Sequence, residues 1–245
     1  MTLVIGMYYN NRKGALIASD SRVVEDHDIF PKTQKIFKIN NFVFGFAGTL
    51  YLRDEIIEEL KKIEDESPRE KIQEAYIEKI EKYTLGDNPL LRKSEFSCET
   101  LFNFYTQDCP HLVHVDDKGI LEPLYRGFAA IGQPDYTNVV LREIYQDKIT
   151  KQQAINTAIY CINETAKING GVDDHVQIAL IEKNESRILN LDKRGKFNFE
   201  KPEFEEIKKR LTGVSSLQSN VLNILINGKE EDKNKLERLL NEINS

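Results

Sequence analysis

Residue 2 of this chain is a threonine directly behind the initiator methionine, and it is the first place where the sequence offers chemistry. Methionine removal is efficient when the next residue is as small as threonine, so the mature chain is expected to begin at Thr2. One residue would then carry both a hydroxyl and a free α-amine. An alcohol is a poor nucleophile near neutral pH, but an α-amine with a reference pKa of about 8 can accept its proton, usually through a water. A neighbouring ammonium would lower that pKa and favour the basic, neutral amine. The β-branch also restricts χ1 and so limits where the hydroxyl points. Thr2 is therefore a candidate nucleophile that brings its own base.

Other reactive side chains are less promising. His111 and His114 lie three apart in an expected strand, which turns them to opposite faces and makes them a poor metal pair. No metal and no cofactor is assigned. Cys98, Cys109 and Cys161 are odd in number and contain no close pair, which argues against a disulfide framework or a zinc site. All three are expected to be buried or half-buried thiols.

The elements that must position Thr2 begin with two hairpins. Leu3–Tyr8 and Ala15–Ala18 are apolar runs around the turn Asn10–Gly14, and Ile36–Ile39 and Phe42–Phe46 flank Asn40 and Asn41, which tolerate positive φ. The period then changes to about 3.6. Leu52, Ile56, Leu60 and Ile63 share one helical face, and Ile72, Tyr76, Ile80 and Tyr83 share another. Residues 84–99 read as a loop, followed by short strands at 101–105, 111–115 and 120–124. A second helical pair is expected at 134–146 and 151–168. Thr150 and Gln153 form a capping box at the start of the latter, and Gly170-Gly171 stands where a left-handed cap would end it. Strands at 176–181 and 187–191 close the pattern, and residues 202–244 return to helix. That order suits an α+β class, two packed antiparallel sheets between helical layers, better than a βαβ parallel sheet.

Four segments carry a resemblance to a known family. Thr2-Leu3-Val4-Ile5-Gly6, Ala15-Leu16-Ile17-Ala18-Ser19-Asp20-Ser21-Arg22, Lys35-Ile36-Phe37-Lys38-Ile39 and Gly45-Phe46-Ala47-Gly48 resemble, in order and spacing, the start of proteasome β subunits and of the bacterial ring protease of the HslV kind. Pro110-His111-Leu112, the turn 116–119 and Ala129-Ala130-Ile131-Gly132 extend the match, which covers roughly residues 2–195. The resemblance implies a four-layer αββα sandwich of the N-terminal-nucleophile (Ntn) hydrolases over 1–200, with residues 201–245 as a helical C-terminal extension that has no counterpart.

The resemblance also implies a catalytic set. Thr2 falls at the nucleophile, Asp20 at the buried acid ending the second strand, Lys35 at the lysine and Gly48 at the backbone NH of the oxyanion hole. These types fit together: a fixed ammonium depresses the pKa of the Thr2 groups, and a carboxylate holds that ammonium by charge-assisted hydrogen bonds. A glycine allows close approach to an acyl carbonyl beside a helix N-terminus. Arg22, Gln133 and Asn169 are accessory candidates, and Phe46, Leu50 and Asp54 fall where the family lines its first substrate pocket.

The chain departs from the family at the accessory positions. Gln133 and Pro134 replace a serine and a glycine, and Ala166 and Asn169 replace an aspartate and a serine. Gln133 and Asn169 can still hydrogen-bond the Thr2 amine, but neither is acidic. Glu164, Asp173 and Asp174 are the nearby acids that can substitute, against the reading that they belong to a charged surface segment.

The implied activity is that of a threonine-type peptidase, and its alternatives are an N-terminal-Thr transpeptidase or protein ligase using an amine acceptor, and a non-catalytic scaffold. Relatives imply a homo-oligomer, a ring or partial ring, acting on a peptide or protein substrate, with an ATPase or other protein partner left open. Composition agrees. Of 245 residues 40% are hydrophobic, enough for one sizeable core, and 40 acidic against 34 basic residues give a net charge of -6 that speaks against a nucleic-acid partner. No apolar run has the length of a membrane span and the first residues lack a signal peptide's features, so a cytoplasmic location is expected.

Overall fold

The computed structural model describes residues 2–25, 28–30, 33–40, 42–63, 69–85, 98–106, 109–183 and 185–191. All lie within the first of two units into which the chain divides, Met1–Asn198. The expected extension at 201–245 and the boundary at 200 lie outside the described residues.

The first hairpin pairs β1 (Leu3–Tyr9) with β2 (Gly14–Asp20), and every residue of both strands is buried. Continuous apolar runs of this kind are read out when both faces of a strand are covered. The connecting turn holds Asn10, Asn11 and Arg12 at φ of 52°, 55° and 62°. Asparagine tolerates this left-handed region, and the turn is pinned from outside, since the Asn10 and Asn11 amides donate to the carbonyls of Ile149 and Asp147.

A short hairpin, β3 (Val23–Glu25) with β4 (Asp28–Phe30), follows and was not expected, because three-residue strands are too short to show alternation. Then come β5 (Ile36–Ile39) and β6 (Phe42–Gly48), joined at Asn40 with φ 51°. Helices α1 (Leu50–Leu60) and α2 (Arg69–Leu85) precede β7 (Cys98–Thr106), β8 (Cys109–Val115), β9 (Leu121–Pro123) and β10 (Phe128–Gly132). The presumed loop at 84–99 is thus shorter at both ends, and Glu99 belongs to a strand; residues 86–97 lie outside the described residues. Helices α3 (Asp135–Ile144) and α4 (Lys151–Ile168) and strands β11 (Val176–Glu182) and β12 (Glu185–Leu191) complete the order.

Two five-stranded antiparallel sheets result, one ordered β10-β1-β2-β11-β12 and the other β5-β6-β7-β8-β9. The strand period sorts the side chains of β6 cleanly. Phe42, Phe44 and Phe46 face α1 and α2, where they pack with Leu52, Ile56, Leu60, Ile72 and Tyr76. Val43 and Ala47 face the other sheet and meet Val4, Ile17 and Ala179. On the far side α3 and α4 cover β1, β2, β10 and β11, burying Leu141, Ala154, Ile155 and Ala158. The layers run helix, sheet, sheet, helix, as expected.

The helical faces are as read, with Leu52, Ile56, Leu60, Ile63, Ile72 and Tyr76 buried; the side chains of Ile80 and Tyr83 lie outside the described set. The capping box at Thr150 and Gln153 is formed in both directions. Three local expectations fail. Helix α3 ends at Ile144 because Tyr145 is extended, at ψ 134°. Helix α4 ends without a left-handed glycine: its C-cap Asn169 is extended at φ -130°, and the Asn169 side chain instead accepts from the Gly171 amide at 2.9 Å. Cys98 and Cys161 are buried thiols, but Cys109 is exposed at the β7–β8 end.

Candidate active site

Asp20 and Lys35 form the centre of the site. Asp20 ends β2, Lys35 immediately precedes β5, and both are buried. Lys35 Nζ stands 2.9 Å from each carboxylate oxygen of Asp20. Three backbone amides complete the carboxylate's shell: Leu3 at 2.9 Å, Arg22 at 3.1 Å and Asp173 at 3.4 Å. The Leu3 bond fixes the residue next to Thr2 directly on the acid. Burial, the larger influence on each, pushes Lys35 below and Asp20 above their ordinary values, and their mutual attraction opposes both shifts. A carboxylate with this many donors can hold an ammonium in a buried place despite the cost of desolvating both.

Lys35 is positioned through its main chain as well. Its amide donates to Gln177 Oε1 at 2.9 Å, and its carbonyl accepts from the Phe46 amide at 3.1 Å. Gln177 belongs to β11 and is a polar residue in an apolar strand, which was the available sign of its role. Asp173 is buried and receives the Ser21 amide at 2.9 Å, so it locks the chain just after Asp20. Of the three acids weighed as substitutes, Asp173 joins this network. Glu164 pairs with Lys167, and Asp174 is exposed beside His175.

Thr2 is itself only 8% exposed, at the edge of a cavity of about 300 Å³ that is also lined by Ala47, Gly48, Glu99, Asp117, Gly132 and Gln133. Gly48 ends β6 at φ 131°, a conformation that favours glycine, one residue before the N-cap of α1. The positive end of the α1 dipole therefore lies next to the cavity. Gly132, at φ 81°, is required for a second reason: a Cβ there would stand 2.1 Å from the Thr2 carbonyl oxygen. This contact joins residues 130 apart and leaves no local sign in the sequence, where Gly132 shows only as the end of a strand.

Two of the three accessory residues meet each other. Asn169 Nδ2 donates to Gln133 Oε1 at 2.6 Å, and Arg22 donates to the Gly170 carbonyl at 2.7 Å. Both tie the end of α4 to the rim of the site. The three pocket candidates lie away from this cavity, and Asp54 lines a separate one with Phe37 and Tyr51. Phe46 is buried in the aromatic layer under α1, Leu50 is half-buried at the first turn of α1, and Asp54 is exposed and paired with Arg53. None of them lines the cavity at Thr2, because the alternation along β6 turns Phe46 away from it and Ala47 toward it.

His111 stacks on Phe104 and His114 lies near Glu99, on the opposite face. Burial pushes the Cys98 thiol up to about 12, so it stays protonated near neutral pH. Glu99 was missed in the sequence. It stands opposite Ala47 in the β6–β7 ladder, so its side chain emerges beside the residue that lines the cavity.

The chain belongs to the proteasome subunit family, whose profile matches residues 2–181. Among curated proteins none matches it in sequence. Solved structures share the fold. The Anbu (Gly-1) mutant from Hyphomicrobium sp. strain MC1 superposes with a TM-score of 0.70 at 13% identity, covering 88% of this chain and 97% of that one. Anbu from Yersinia bercovieri, described as an ancestral β-subunit, gives 0.69 at 17% identity with 89% and 97% covered. The helical assembly of the Anbu complex from Pseudomonas aeruginosa gives 0.69 at 16% identity with 89% and 96% covered. The fold is thus the αββα Ntn sandwich.

Proposed function

We propose that the protein is a threonine-type peptidase, in which Thr2, freed by removal of Met1, attacks a peptide carbonyl. The observation that carries this reading is the buried Lys35–Asp20 pair, with its amide link to Leu3 beside Thr2. The Thr2 amine takes the hydroxyl proton and returns it to the leaving amine, which leaves an ester between Thr2 Oγ and the acyl group. The Lys35 ammonium favours this transfer by lowering the pKa of the amine and hydroxyl. Gly48 supplies a backbone NH to the tetrahedral oxyanion, supported by the α1 N-terminus. Water then attacks the ester and releases the acid.

A second reading is favoured by one observation. The three positions that depart from the family pattern, Gln133, Ala166 and Asn169, carry no charge; Asn169 donates to Gln133, and Ala166 has no polar side-chain group. The ester can then be resolved by an amine, which makes the protein a transpeptidase or ligase. A scaffold without turnover is the weakest reading, because Thr2, Asp20, Lys35 and Gly48 are all retained together.

Family membership supports a homo-oligomer as the working form, and a cytoplasmic location is proposed with it. No described helix is long and apolar enough to cross a membrane. The function is tested by turnover of a fluorogenic peptide library. Thr2→Ala and Lys35→Ala should each reduce kcat/KM on the order of 10³-fold or more. Undiminished turnover in either variant would sink the mechanism. Adding a peptide amine during turnover separates the two fates, since a ligated product in place of the free acid selects the second reading.

A further inference from the structure

Gln133 lines the same cavity as Thr2, and Asn169 does not. Gln133 follows Gly132, which pairs with Leu3 in the β1–β10 ladder, so it stands beside Thr2 at the end of that ladder. A carboxamide has one accepting end and one donating end of nearly equal size, and which end faces the nucleophile decides what it can do there. Here the order is set from the backbone. The Gly171 amide can only donate, and it donates to Asn169 Oδ1 at 2.9 Å. Asn169 Nδ2 is then the end that faces Gln133, and it donates to Gln133 Oε1 at 2.6 Å. The accepting end of Gln133 is thereby committed to Asn169. Its Nε2 is left on the cavity side, with no hydrogen-bond partner among the described residues. Arg22 steadies the chain between the two fixed amides by donating to the Gly170 carbonyl at 2.7 Å.

We propose that Asn169 is a positioning residue that turns the donating end of Gln133 toward the Thr2 α-amine and so keeps that amine neutral and basic. An N–H donor can bond the lone pair of a neutral amine but has nothing to accept from an ammonium, so it favours the form that takes the hydroxyl proton. An acceptor at the same point would do the reverse. This role rests on the threonine-peptidase reading and concerns the ionisation of its base. The charged groups that face Thr2 are Asp20 at the end of β2, Lys35 before β5, and Glu99 and Asp117 on the cavity wall. Arg22 and Asp173 stand behind them, on the Gly170 carbonyl and on Ser21. None of these is altered when Gln133 or Asn169 is replaced, so changes at the amine report the two carboxamides.

The test is the titration of the α-amine in the protein that begins at Thr2, followed by NMR after labelling with 13C-threonine. The pH profile of kcat/KM runs beside it, since its acid limb reports the same base. Gln133→Met removes the donor at nearly constant volume and without a change of charge, and it should raise the pKa of the amine by about 0.5 to 1 pH unit. In Asn169→Asp one carboxylate oxygen still takes the Gly171 amide and the other needs a donor, so Gln133 turns over and offers Oε1 to Thr2. The pKa should then rise by about 1 pH unit or more, and the acid limb should move up with it. The new charge raises the pKa by itself, so the deciding comparison is Asn169→Asp made in the Gln133→Met background, where no carboxamide is left to turn. The rise there should be about half as large or less. Equal rises in the two backgrounds, or a Gln133→Met amine that titrates as in the wild type, would overturn the role. Gln133→Met alone decides it if the Asn169→Asp chain does not fold. Shifts of the expected size without any peptide turnover would leave the role standing and sink the peptidase reading. Turnover with an amine that these variants do not move would do the opposite.

Discussion

At the residue scale the site is governed by one buried ion pair whose members are each disfavoured by burial. Removing a single member leaves the other charged and dry, so Lys35→Met should lose about 3–5 kcal/mol of unfolding free energy in urea. The double variant Asp20→Asn/Lys35→Met should recover part of it. The pH dependence of the single variant follows from its sign. Without Lys35, the carboxyl of Asp20 is raised further above its ordinary 3.8, because the attraction that opposed burial is gone. Between that value and the raised one the folded state binds more protons than the unfolded, so acidification stabilises the fold in this window. The stability gap between wild type and Lys35→Met should narrow as pH falls from 7 toward 4. A gap independent of pH would show that Asp20 is not the stranded group. Asp20 and Lys35 were legible in the sequence because their spacing from Thr2 is a family pattern. Glu99, Gln177 and the Gly132 contact were not, since each acts on a residue brought close only by strand pairing or by the fold.

Elements carry a different kind of information. The capping box of α4 was readable in four consecutive residues, and it forms, so Thr150→Ala should destabilise by about 1 kcal/mol with no effect on turnover. The face-to-face fit of the sheets was not readable. Gly45 lies where β6 crosses the other sheet, and a Cβ there would stand 2.6 Å from Val4 Cγ1 and 2.7 Å from Ile17 Cγ2. Both neighbours are β-branched, buried and stiff at χ1, so they cannot swing aside. Gly45→Ala is expected to lower stability by about 1–3 kcal/mol and to shift the urea midpoint at unchanged slope. A neutral effect would mean that the sheets part more easily than this packing implies. The hairpin β3–β4 escaped detection for the opposite reason: its strands are too short for any period to show. The end of α4 misled because Gly170-Gly171 offered a glycine cap, while the side chain of Asn169 took its place.

For the molecule as a whole, the alternation of strand and helix groups was enough to order the four layers, and the family profile across residues 2–181 agrees with that order. What composition and periodicity leave open is assembly, which depends on surfaces presented to other copies of the chain. The proposed homo-oligomer predicts a light-scattering mass several times that of one chain, and a purely monomeric protein at micromolar concentration would contradict it. The proposed function turns on a single covalent event at Thr2. Its most direct test is the intact mass of the purified protein, with N-terminal peptide mapping, before and after incubation with an electrophilic peptide. The expected result is a chain that begins at Thr2 and gains one inhibitor equivalent on that residue, with no gain in Thr2→Ala. Met1 quantitatively retained, or an adduct on any other residue, would contradict it.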